Sequence, residues 1–157
     1  MDYNNAFHIL QSIFNKEEFK KITETLIIQV PGGYELFGKY VISKNNNVYV
    51  VNKYQTDLNV SFYSVKNATI YTILYERNRL DEVRRILELD VLLEGTVASM
   101  ERYKQQYQNG NQTDNRDISL AKFTEAKHKK YLINNEIDEY IKETKMWQES
   151  RFKQLIN

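Results

Sequence analysis

Pro31-Gly32-Gly33-Tyr34-Glu35-Leu36-Phe37-Gly38-Lys39-Tyr40-Val41-Ile42-Ser43 is the stretch in which the chain changes its period. After Gly33 the apolar residues alternate. Tyr34, Leu36, Gly38, Tyr40 and Ile42 share one face, and Glu35, Phe37, Lys39, Val41 and Ser43 share the other, as an extended strand requires. Lys44-Asn45-Asn46-Asn47 then supplies residues that tolerate left-handed backbone angles, and Val48 to Tyr54 resumes in extended form, which predicts a hairpin. Gln55-Thr56-Asp57 turns the chain again, and Leu58 to Tyr63 reads as a further strand. The expectation is a three-stranded antiparallel meander, which needs a cover for its apolar face before it can be stable.

On the N-terminal side the period is helical. Asp2 caps a helix running to about Phe14, with Ala6, Phe7, Leu10 and Phe14 at helical spacing. Asn15 restarts it: Asn15-Lys16-Glu17-Glu18 sets a capping side chain three residues before a glutamate, and Phe19, Ile22 and Leu26 follow. Pro31 ends the helical region. On the C-terminal side Ser64 caps a helix from Val65 to about Arg79, apolar through Val65, Ala68, Ile70, Ile73 and Leu74, which supplies the cover for the sheet.

Asp81 opens the next helix, which carries Val83, Ile86, Leu87, Leu92, Leu93, Val97, Met100, Tyr103 and Tyr107 and stops at Asn109-Gly110. After a polar loop, Asp117 opens a last helix with Ile133, Ile137, Tyr140, Ile141, Thr144, Trp147 and Leu155 at steps of three and four. The fold class predicted is therefore α+β: N-terminal helices, the meander with its packed helix, then a long antiparallel helical hairpin. Residues 1–80 form a small head and 81–157 an arm. Each arm helix is too long for so small a sheet to cover, so its far part must pack on the other arm helix or on another subunit.

Composition limits the chemistry. The chain has 157 residues, a net charge of +1 and no cysteine, which excludes disulfides, thiolate zinc sites and cysteine nucleophiles. Basic and acidic residues number 9 and 7 up to residue 80 and 13 and 14 beyond it, so neither half is the polycation that non-specific nucleic-acid binding favours. The longest apolar runs fall far short of a membrane span, and Met1-Asp2-Tyr3-Asn4-Asn5 lacks the basic start of a signal peptide. The expected location is cytoplasmic.

His128 offers the sharpest chemical reading, since Glu125-Ala126-Lys127-His128 spells the Glu-x-x-His of di-iron helical bundles. That site needs two such motifs and two further glutamates, with Glu94 and Glu101 as candidates across a dimer; a solvated helix face is the simpler reading, and no metal or other cofactor is assigned. Glu136, Asp138, Glu139 and Glu143 could in principle do acid–base work, but on an exposed helix they serve as partners for lysines, such as Asp138 for Lys142. Gly32-Gly33 leads into a strand and is a turn, not a phosphate loop. No catalytic motif is found, and the expectation is a protein that is not an enzyme.

The sheet offers a nucleic-acid alternative. Its face opposite the core is expected to carry Phe37, Lys39, Val41, Tyr49, Val51 and Lys53, a mixture of aromatic and basic residues. With Lys66 at the start of the following helix, the contacts expected are Lys39, Tyr49, Lys53 and Lys66. The order of elements is similar to that of double-stranded-RNA-binding domains and of AP2-type DNA-binding domains, although Lys66 alone stands for the basic cluster of the first and the arginine-rich strands of the second are missing. In the simpler reading Phe37, Tyr49 and Val51 pack against the N-terminal helices.

Gly33-Tyr34-Glu35-Leu36-Phe37-Gly38-Lys39-Tyr40, Phe62-Tyr63-Ser64-Val65-Lys66-Asn67-Ala68 and Arg85-Ile86-Leu87-Glu88-Leu89-Asp90 together resemble small proteins encoded by T4-like bacteriophages of marine bacteria. The resemblance implies a viral source, located in the host cytoplasm or the virion, and no particular activity. It favours a virion or assembly component, or a factor that binds a host protein. The function expected is thus a non-enzymatic structural or interaction protein that self-associates or binds a phage or host protein through its arm, with Val97, Met100, Ile137, Ile141, Trp147 and Phe152 as contacts.

Overall fold

The computed structural model describes the backbone of residues 27–109 and 113–156, and side chains over 28–109 and 116–142. The chain is α+β. Five strands, β1 (Ile27–Val30), β2 (Gly33–Leu36), β3 (Tyr40–Asn45), β4 (Val48–Lys53) and β5 (Asn59–Phe62), form one antiparallel sheet in chain order. Three helices follow: α1 (Val65–Glu76), α2 (Leu80–Asn109) and α3 (Thr113–Ile156). The N-terminal helices expected before Leu26 lie outside the described residues.

The meander has five strands where three were expected, and two turns account for the difference. Pro31-Gly32 joins β1 to β2 with Val30 paired to Gly33, and Gly32 at φ +77° takes the left-handed position of a Pro-Gly turn. Ile27–Val30 is therefore a strand and not the tail of a helix. The long strand expected from Tyr34 is folded at Phe37-Gly38, both at positive φ, and the Lys39 N–H bonds the Leu36 carbonyl at 3.1 Å. Leu36 consequently faces Tyr40, and Tyr34 faces Ile42. Asn46, at φ 56°, makes the expected turn between β3 and β4.

The register corrects the assignment of faces across that turn. Ile42 pairs with Val51, Tyr40 with Lys53 and Lys44 with Tyr49, so Tyr49, Val51 and Lys53 share the face of Tyr40 and Ile42. Directly opposed residues of an antiparallel pair lie on one face. Val51 is buried in the core and Tyr49 is half-buried against it. The opposite face of these strands carries Glu35, Val41, Ser43, Val48, Val50 and Asn52, all half-buried.

Ser64 caps α1, its hydroxyl accepting the Asn67 N–H at 3.3 Å. The helix ends at Glu76, short of Arg79, because Asn78 adopts φ 64° and closes a Schellman cap: its N–H bonds the Tyr75 carbonyl and that of Arg79 bonds the Leu74 carbonyl. Every residue from Asn67 to Leu74 is buried. A helix covered all round is a central element; α1 lies between the sheet and the root of the α2–α3 pair. One apolar core results, running from Tyr34, Tyr40, Ile42, Val51 and Phe62 of the strands through Ile70, Ile73 and Leu74 to Val83, Ile86, Leu89, Ile133 and Ile137 of the long helices.

Polar bonds fix this stacking. Tyr34 is hydrogen-bonded to Thr69, and Tyr40 donates to Glu76 at 2.9 Å while its ring meets Tyr75 edge-on at 6.0 Å. Asp90 of α2, buried, accepts the Tyr63 N–H at 2.8 Å and the Asn67 side-chain amide at 3.0 Å.

Candidate functional site

The two long helices run antiparallel. Arg85 near the start of α2 grips Glu136 with Nε and Nη2 at 2.6 and 3.0 Å, and Gln106 near its end meets Ser119. Along α2 the residues turned inward are Ile86, Leu89, Leu93, Thr96, Met100, Tyr103 and Tyr107, and along α3 they are Ser119, Phe123, Ala126, Lys130, Ile133, Ile137 and Tyr140. Both series step alternately by three and four, the heptad spacing that keeps two helices in continuous contact. At 30 and 44 residues they extend about 45 and 66 Å. α3 begins at Thr113, ahead of the Asp117 expected to open it.

Side chains outside this seam include many large apolar ones. Val91 is 61% exposed, Ile118 54%, Tyr131 62% and Leu132 54%, with Leu92, Val97 and Leu120 about two-fifths exposed. Leu87, Glu88, Val91 and Leu92 bound a cleft of about 480 Å³. Val91 and Leu92 also enter a groove of about 390 Å³ that continues past Gly95 and Ser99, with Lys122, Glu125 and Lys129 of α3 as its far wall.

Of the contacts expected on the arm, Val97 is exposed, Met100 and Ile141 are half-buried, and Ile137 is buried in the chain's own core. Trp147 and Phe152 lie beyond the described side chains. Ile137 is thus an internal residue. Val91, Tyr131 and Leu132 are exposed apolar residues absent from the expected series, and Leu92, expected within the apolar series of its helix, is exposed too; spacing alone does not say which side of a helix they take.

The nucleic-acid candidates separate into two places. Lys39 and Lys53 line one cleft with Gly38, Tyr54 and Gln55. Lys39 is bound there to Glu76 at 2.7 Å, and the Lys53 ammonium lies over the Tyr40 and Tyr75 rings at 5.5 and 5.7 Å. Tyr54 donates to Glu35 at 2.6 Å, a bond that raises its phenol pKa. Lys66 sits at the opposite end of α1, roughly 15 Å away along the helix axis, paired with Asp138 at 3.3 Å.

Glu125 and His128 are both exposed, and the His128 ring stacks on Tyr131 at 6.4 Å. Among the described residues no three His, Cys, Asp or Glu side chains converge as a metal site would need. Asp138 pairs with Lys66, while Lys142 pairs with Glu139 at 3.1 Å in place of the expected Asp138. No helix among the described residues is long and apolar enough to cross a membrane. Comparison with protein-family models, with curated proteins and with solved structures finds no match.

Proposed function

We propose that this chain is a non-enzymatic interaction protein that uses its helical arm to self-associate, in keeping with a structural or assembly role in a phage particle or a complex with a host protein. The observation that carries the reading is the number of large apolar side chains left exposed on two helices whose mutual seam is already filled, with Val91 and Leu92 side by side on α2. Exposed apolar area of that kind is stabilised by a partner. Sedimentation velocity over a wide concentration range tests it: concentration-dependent dimers or higher species are expected, and a strict monomer at the highest concentration removes self-association.

A second reading is nucleic-acid binding, favoured by the meeting of Lys39 and Lys53 beside Tyr54. Both ammonium groups already have partners, which weighs against it. A salt-dependent gel shift decides it, and unretarded DNA and RNA at low salt would end it.

A further inference from the structure

If the arm self-associates, as the function proposed above holds, α2 carries the surface that does so. Beside its seam with α3, along the groove whose far wall is Lys122, Glu125 and Lys129, α2 has a second stripe at the same alternating spacing: Glu88, Val91 and Leu92, Gly95, Ala98 and Ser99, Arg102. Ser99 is half-buried and the others are exposed. The apolar cleft beside Val91 and Leu92 opens at one end of this stripe. Gly95 stands at its middle, where an added Cβ would meet nothing within 4 Å. A glycine inside a helix destabilises it relative to alanine. No contact among the described residues requires that cost, and close approach by another backbone would.

We propose that a second copy of this chain packs its α2 antiparallel on this stripe, the two helices crossing at Gly95. A two-fold axis at that point sets each residue before Gly95 against the residue equally far beyond it on the partner helix. Leu92 then meets Ala98 and Val91 meets Ser99, large against small on both sides of the axis. Glu88 and Arg102 stand seven positions either side of Gly95, roughly 10 Å along the helix, so each acid meets a base; within the chain Glu88 bonds Arg85 at 3.0 Å and the Arg102 guanidinium lies over the Tyr103 ring, both solvent-exposed contacts to which the partner's charge is added. The parallel arrangement would set Glu88 against Glu88 and Arg102 against Arg102. Charge therefore selects the antiparallel pair, and the stripe complements itself as an isologous interface requires.

The test uses the full chain in sedimentation equilibrium, beside thermal unfolding of each variant. Gly95→Leu should abolish the dimer while leaving the fold intact, because its side chain enters open space within the monomer. Glu88→Arg and Arg102→Glu should each weaken the dimer roughly tenfold or more, and the double variant should restore it. As an independent check in a protein without cysteine, Leu92→Cys and Ala98→Cys chains mixed under oxidation should form the mixed disulfide. A wild-type chain that stays monomeric overturns both this interface and the self-association reading. A wild-type dimer indifferent to Gly95→Leu and to both charge reversals overturns the interface alone.

Discussion

The carboxylate of Asp90 accepts the backbone N–H of Tyr63 at 2.8 Å, which bonds α2 to the one residue between β5 and the N-cap of α1. Its other oxygen holds the Asn67 side-chain amide, whose carbonyl oxygen has no hydrogen-bond partner among the described residues. Asp90→Ala would strand the buried Asn67 amide and the part-buried Tyr63 N–H. A loss of about 2–4 kcal/mol is expected in urea unfolding, and a loss below about 1 kcal/mol would show that the bond is incidental.

Gly33 and Gly32 make a contrasting pair. A Cβ on Gly33 would run into the Ile42 carbonyl oxygen and lie 2.9 Å from the Ser43 Cα, both backbone atoms of the neighbouring strand. At Gly32 the space is open and only the φ of +77° resists a side chain. Gly33→Ala should therefore cost about 2 kcal/mol or more and Gly32→Ala about 1 kcal/mol. Equal midpoints for the two variants would contradict the register of β2 on β3.

Alkaline pH should unfold the protein through Tyr34. Burial raises its phenol pKa well above the ordinary value of 10, as burial followed by the Glu76 bond does for Tyr40. Above pH 10 the unfolded chain releases a proton that the folded chain retains, so the unfolded state binds fewer protons and stability falls with rising pH. The contribution is complete below pH 10 and is lost toward the folded-state pKa, by up to about 1.4 kcal/mol per pH unit. Urea midpoints between pH 9 and 12 should fall less steeply in Tyr34→Phe than in the wild type.

Arg85 and Glu136 tie α2 to α3 through two bonds, yet their side chains remain 40% and 38% exposed. Solvent screens such a pair, so Glu136→Gln should cost about 0.5–1 kcal/mol at low salt and less at 1 M. A salt-independent cost would place its origin in packing.

How far the sequence foretold the sheet depended on counting residues in turns. Three residues separate Leu36 from Tyr40, an odd number, so the alternation of Tyr34, Leu36, Tyr40 and Ile42 passes through the turn unbroken. A straight strand and a folded one give the same pattern there, and Phe37 in a left-handed conformation carries no compositional warning. The Asn46-Asn47 turn is even and reverses the parity. Val51 and Lys53 therefore join Tyr40, where simple alternation had set them on the other face. Pro31-Gly32-Gly33 reads as a turn from composition alone, but a turn there fits a helix before it as well as a strand, and Ile27–Val30 is too short to show a period of its own. On the arm, apolar residues occupy more than one side of α2, so spacing alone could not divide the seam at Thr96 and Met100 from the outward Val91, Leu92 and Val97.

The strand order also bears on how the chain acquires its fold. Each strand pairs with the next in sequence across a connection of two to five residues, and α1 and α2 follow directly. Closing such short loops costs little entropy, so the meander can zip from either end. Ile133 and Ile137, by contrast, reach the core only after α3 has returned along α2 from the far end of the arm. Kinetically, docking of α3 at the root is therefore expected to be a late step. Substitutions at those two isoleucines should accelerate unfolding more than they slow folding.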